Sequence, residues 1–163
     1  MKRFLGKRLI GVAGVFSIFM MLCGGIGPAH AQNFYNAAYY GTVANEYANI
    51  STGQGVVAFL FQDSTALYDF YAYAEAAQQW TGAAYAAAEA GYSANPTEAN
   101  YWALLYALYD WYYKYIVAEA AYTAYMSSDY DGIVDAMVDT LTGDVINAGS
   151  IFYCGVASMG GTL

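Results

Sequence analysis

Basic residues are the scarcest component of this 163-residue sequence, and they are unevenly placed. Four of the five lysines and arginines lie within the first eight residues, and the only histidine is His30. Beyond residue 31, Lys114 is the only base against thirteen acidic residues, which gives that segment a net charge of −12. Binding to phosphates depends on lysine and arginine, so the sequence argues against nucleic acid and anionic membrane surfaces as partners.

The lack of histidine and cysteine also limits the chemistry of the segment after residue 31. Without histidine it cannot form a Ser-His-Asp or Cys-His arrangement, nor a histidine-ligated zinc or haem site. Cys154 is its only cysteine, and is either a buried inert thiol or one that pairs between chains. A glycosidase needs only two carboxylates, so that mechanism survives. No sequence feature indicates an acidic residue that is buried and has a shifted pKa. The sequence therefore favours a protein that is not an enzyme.

The N-terminus has the three parts of a secretory signal. Its basic residues precede an apolar run from Leu9 to Ile26, and a glycine-proline break leads into Ala29-His30-Ala31. This small-x-small pattern predicts that residues 1–31 are a signal peptide, cleaved before Gln32. The alternative is an uncleaved anchor, because the run approaches the length of a membrane span. After cleavage we expect a secreted, periplasmic or extracellular protein with no stable membrane anchor.

The composition after residue 31 is that of a folded domain, since 59% of the whole chain is hydrophobic. All nineteen tyrosines lie in that part. We therefore expect an unusually aromatic core, in which carboxylates accept hydrogen bonds from buried phenols.

Two long helices are predicted at the centre of the chain. Asn95-Pro96-Thr97-Glu98 has the cap, proline and acidic residue typical of a helix start, and Gly91 is typical of a helix end. These signals predict helices over 64–90 and 96–127, folded into an antiparallel hairpin. The predicted fold is therefore all-α, a small helical bundle built on this hairpin.

The second of these helices has two different faces. Large residues recur along one face at spacings of four and three. Asp110 and Lys114 lie on the opposite face, where their spacing predicts an i,i+4 ion pair. Additional rings extend the apolar surface beyond one stripe, and we predict that they form an interaction surface: Trp102, Tyr106, Tyr109 and Tyr113.

The segments that flank the hairpin are predicted with less regular structure. A helix over 35–49, broken at Gly41, precedes a glycine-rich linker at 51–55. Residues 56–61 form an apolar run that fits a strand or a helix. A short helix over 131–141 closes the helical domain, 32–142, and a glycine-containing tail covers 143–163.

The segment after the hairpin resembles a calcium loop. Asp129-Tyr130-Asp131-Gly132 and the aliphatic pair after it are similar to EF-hand loops and thrombospondin type 3 repeats. The resemblance implies Ca²⁺ as the only cofactor. The segment departs from these families at two positions. Ser127 stands where the loops begin with Asp, and Val138 stands where they end with an acidic residue. The alternative is that the acidic residues cap a helix. The candidate ligands are Ser127, Asp129, Asp131, Asp135 and Asp139.

Two functions agree with these observations. The leading one is an exported non-catalytic protein that associates with itself or with a surface, matrix or protein partner. The alternative is a small module whose rings bind a glycan or another ligand, with or without calcium.

Overall fold

The fold is an all-α bundle, described by a computed structural model over residues 29–160. Connections of two to four residues join long helices that pack against their chain neighbours, and the first helix also packs against the fourth. This is the up-down-up-down arrangement of a four-helix bundle, and it confirms the predicted all-α class and the central hairpin. The helices are α1 (Ala29–Phe61), α2 (Ser64–Ala94), α3 (Glu98–Ser127) and α4 (Gly132–Ser158).

The predicted signal peptide lies almost wholly outside the described residues. Ala29–Ala31, before the predicted cleavage point, form the first turn of α1. Cleavage after Ala31 therefore stays a prediction. None of the helices in residues 29–160 combines the length and the apolar character that crossing a bilayer requires.

The turn between α2 and α3 differs in detail from the prediction. Gly91 does not end α2, which continues to Ala94. Gly91 is buried because the Phe34 ring lies so close that an added Cβ would stand 2.7 Å from its Cε2. The cap of α3 is Thr97, whose hydroxyl accepts a hydrogen bond from the Asn100 amide at 3.3 Å. Asn95 is instead the C-cap of α2.

Helices α1 and α4 are longer than predicted, because glycine does not interrupt them. The predicted break at Gly41, the linker at 51–55 and the run at 56–61 all belong to α1. Helix α4 likewise continues across Gly143 to Ser158. A Cβ on Gly41 would meet Ile151 at 3.1 Å, and one on Gly55 would meet Phe70 at 3.0 Å. In these helices glycine marks close packing between neighbours.

The core is built from small residues, which contradicts the predicted aromatic interior. Each helix buries one residue every three or four, the heptad spacing of coiled-coil packing, and most of these residues are Ala, Gly, Ser or Thr. None of the nineteen tyrosines is buried. Small residues let helix axes approach closely, and the large rings therefore lie at the seams between helices and on the outer surface.

Helix α3 shows this inversion most clearly. Its predicted 4-3 period is correct, and the stripe of large residues points outward instead of forming the expected aromatic core: Tyr112 is 55% exposed and Met126 63%. The buried positions are those of the opposite face and include Ala103 and Ala107.

The interior divides into two apolar clusters separated by polar side chains. The upper end of the bundle is defined by the α1–α2 and α3–α4 turns, and its cluster contains Phe70, Val117 and Ile133. The lower end is defined by the α2–α3 turn, and its cluster contains Phe34 and Cys154. Lys114, Asp110 and Asn147 are buried at heights between the two.

Candidate functional site

The polar side chains between the two clusters centre on Asp110 of α3. Its Oδ2 accepts a hydrogen bond from Asn147 Nδ2 of α4 at 2.7 Å, and the same nitrogen donates to the Gly41 carbonyl of α1 at 3.1 Å. The three groups therefore tie α1, α3 and α4 together. Asp110 Oδ1 and Ser150 Oγ are buried without a hydrogen-bond partner among residues 29–160.

Lys114 lies one turn above Asp110, but the two do not form the predicted ion pair. The Lys114 ammonium instead contacts Asp144 Oδ1 of α4 at 2.6 Å. Lys114 is 1% exposed, whereas the Asp144 side chain is 29% exposed. The predicted pair was wrong because α3 turns this face toward α4, which supplies a better-placed carboxylate.

Burial dominates the electrostatics of this region. It raises the pKa of Asp110 from 3.8 to about 7, against the lowering effects of the Asn147 hydrogen bond and of the Lys114 charge. Burial also raises the pKa of the Cys154 thiol to about 12, and the cysteine is free. Asp110 is fully buried, so its carboxyl group does not face a solvent-filled cleft.

The carboxylates that a glycosidase would use are spread over the helices. Glu75 and Glu89 are 14 residues apart on α2, a separation of ~21 Å along a helix. Inverting enzymes hold their two carboxyls less than about 10 Å apart. Glu119 is exposed on the outward face of α3.

Aromatic rings form a regular ladder in the seam between α2 and α3. Tyr71 stacks on Tyr125 with an interplanar angle of 9°, and Tyr85 stacks on Trp111 with an angle of 7°. The members of each helix are 14 residues apart, or two heptads, so the same heptad position supplies each ring. These rings cover the edges of the small-residue core.

The four predicted interaction residues share one face of α3. They recur at spacings of four and three. This face is on the side of α3 toward α4, because the Tyr106 ring stacks on Tyr153 of α4 at a centroid distance of 4.6 Å. Tyr106 also lies on Gly149, where a Cβ would come within 2.6 Å of the ring. Trp102 and Tyr109 are exposed, whereas Tyr106 and Tyr113 are half-buried in the α3–α4 seam.

The sequence prediction missed the part of this surface that α4 contributes. Apolar side chains along its outer face are strongly exposed, up to 74% at Val145. Their spacing of three, four and seven residues is a helical signal, but it crosses the boundary where the glycine-containing tail was predicted to begin. The residues are Val138, Leu141, Val145 and Phe152.

The acidic segment at the upper end forms the turn that leads into α4, where Asp131 is the N-cap residue and makes no side-chain capping hydrogen bond. Asp129 Oδ1 accepts hydrogen bonds from the amides of Asp131 and Gly132 at 3.2 and 3.0 Å. The Ser127 hydroxyl donates to the Thr123 carbonyl, and Asp135 and Asp139 lie in the first two turns of α4. Within residues 29–160, no group of three or more His, Cys, Asp or Glu side chains is arranged to hold a metal ion. Calcium binding stays a prediction.

Comparison of the chain with protein-family models, curated proteins and solved structures gave no match.

Proposed function

We propose that this chain is an exported, non-catalytic protein that acts by association, either with a second copy or with a partner outside the cytoplasm. One observation carries the proposal: small residues fill the buried positions of the bundle, and many large apolar side chains remain on its surface. Extensive exposed apolar surface on a soluble protein commonly marks a contact region.

The residue types on the surface also support association. Tyr and Trp are enriched at protein interfaces, because each brings a large contact area with few rotatable bonds and retains a polar group for hydrogen bonding. Tyr101, Trp102 and Tyr109 are all at least 40% exposed along α3. The chemistry of this surface suits a partner that buries rings.

Sedimentation of the exported protein over a range of concentrations tests this proposal. The net charge of −12 repels identical copies, so self-association is expected to strengthen when salt screens that charge. An intact mass equal to that of a chain beginning at Gln32 would support export with cleavage of the signal peptide. Full-length protein retained in the membrane would contradict it.

A monomer at every salt and protein concentration would exclude self-association. It would favour another partner or the alternative function, a ligand-binding module. Titration with soluble oligosaccharides, with and without Ca²⁺, would then test whether the exposed rings bind a glycan.

A further inference from the structure

The α3–α4 side of the lower half of the bundle is apolar and carries no exposed charge. Over residues 99–118 of α3 the only charged residues are Asp110 and Lys114, and both are buried. Residues 145–158 of α4 contain no charged residue. These two segments are neighbours at the lower half of the bundle, and we call their outward side the uncharged face. Its exposed large side chains include Trp102, Tyr109, Tyr112, Val145 and Phe152.

We infer that the uncharged face binds a second copy of this chain, with the two bundles antiparallel and their lower halves overlapping. The inference rests on the proposed function and specifies its partner and surface. Such a dimer has a two-fold axis across the middle of the face, so the same residues serve both copies.

The distribution of charge selects this orientation. On α3 and α4 the acidic residues at the upper end include Asp129, Asp131 and Asp135. A parallel pair would place these acids side by side, whereas the antiparallel pair points them in opposite directions. On α3, the border residues Glu98 and Glu119 of different copies then come near each other at the solvent-exposed rim, where salt screens their repulsion. On α4, the border residue Asp144 is paired with Lys114 of its own copy.

The size of the face is sufficient for a specific dimer. The twenty residues of α3 extend ~30 Å and the fourteen of α4 extend ~21 Å, and each helix is ~10 Å wide, which gives ~500 Å² per copy and ~1,000 Å² in total. This is about the minimum area for a specific interface, so we expect a weak dimer with a dissociation constant in the micromolar range or above.

The lack of charge also argues for a second copy over a cationic partner. A basic protein would be drawn to the acidic upper end rather than to a face without carboxylates. Within residues 29–160, Lys114 is the only lysine or arginine and is buried. A second copy therefore has no exposed lysine or arginine there with which to pair the acids, and its own uncharged face is the surface that matches.

A matched pair of glutamate variants tests the face. Tyr109 is 49% exposed on the uncharged face, and Tyr39 is 50% exposed at a similar height on α1, which lies diagonally across the bundle. Tyr109→Glu is expected to raise the dimer dissociation constant at least about 30-fold, the loss typical of a central interface residue. Tyr39→Glu is expected to leave it within about 3-fold, because that ring lies outside the interface. Circular dichroism of both variants checks that the bundle is folded.

Cysteine variants test the orientation. Tyr109→Cys lies near the proposed axis and is expected to form a symmetric disulfide under mild oxidation. Thr123 is exposed 14 residues farther up the same face of α3, so Thr123→Cys is expected to remain reduced in the antiparallel dimer and to cross-link in a parallel one. A dimer that Tyr109→Glu does not weaken would overturn the inference while leaving self-association intact. A dimer cross-linked through Thr123→Cys would overturn the orientation, and absence of any dimer would contradict self-association itself.

Discussion

Replacing Asp110 by asparagine is expected to stabilise the bundle by about 4 kcal/mol at pH 8 and by only about 1.6 kcal/mol at pH 5. Asp110 is fully buried, and its Oδ1 lacks a partner in residues 29–160. Burial raises its pKa from 3.8 to about 7. Asparagine has nearly the same volume and carries no charge, so it resembles the protonated acid.

The direction of the pH dependence follows from whether Asp110 carries a proton in the folded and in the unfolded state. Between pH 4 and 7 the folded protein retains the Asp110 proton that the unfolded chain has lost, so stability falls as pH rises through that window. The difference of about 3 pKa units corresponds to about 4 kcal/mol at 1.36 kcal/mol per unit. This contribution is fully present below the unfolded pKa and is lost once the pH exceeds about 7.

Urea unfolding followed by circular dichroism, at pH 5 and pH 8, measures the effect. The free energy of unfolding of Asp110→Asn is expected to exceed that of the wild type by about 4 kcal/mol at pH 8 and by about 1.6 kcal/mol at pH 5, because pH 5 lies just above the unfolded pKa of 3.8. Comparing the two proteins at each pH removes the contribution of the other carboxylates. Asp144→Asn is the control and is expected to lower the free energy of unfolding. It leaves the buried Lys114 unpaired, which is expected to cost about 3–5 kcal/mol. If the difference between Asp110→Asn and the wild type were the same at both pH values, the assignment of a buried, protonated Asp110 would be refuted.

Three further outcomes are expected. Gly149→Val places side-chain atoms where the Tyr106 ring lies, and is expected to lower the unfolding free energy by about 1–3 kcal/mol in thermal melts; an unchanged melting temperature would contradict the close contact. The Cys154 thiol is buried with its pKa raised to about 12, so a disulfide reagent at pH 8 is expected to modify it only as fast as the bundle opens; immediate modification of folded protein would disprove this. Asp129→Ala removes two hydrogen bonds to amides at the start of α4 and is expected to cost about 1 kcal/mol whether or not Ca²⁺ is present; a melting temperature that rises with Ca²⁺ in the wild type alone would instead support the calcium loop.

The sequence was sufficient to predict the hairpin, because the period of α3 and the turn signals near Pro96 are local. It did not predict which face of α3 is buried. A hydrophobic pattern ranks Tyr above Ala as a core residue, whereas four helices that all present small residues gain more from close approach. The prediction that glycine interrupts α1 was wrong for a similar reason. Gly41 and Gly55 provide space for Ile151 and Phe70, and those partners lie on other helices.

The candidate surface was partly predictable. Trp102 and Tyr109 are exposed as expected, but Tyr106 and Tyr113 are partly covered by α4, a helix whose second half was predicted as a tail. The buried polar side chains could not be inferred from spacing. Asp110 and Asn147 are 37 residues apart, and Lys114 and Asp144 are 30 apart, so only the fold brings each pair together.

The small-residue core affects how the helices choose their alignment. If α2 slid by one heptad along α3, most buried alanines would meet other small residues, and the interior would lose little contact. The stacked pairs Tyr71–Tyr125 and Tyr85–Trp111 would separate, because partners two heptads apart do not coincide after a shift of one. The ring pairs at the edges of the contact therefore help the three-residue turn between α2 and α3 to define the alignment of the two helices. Weakening these pairs should loosen the alignment while the helix content is kept.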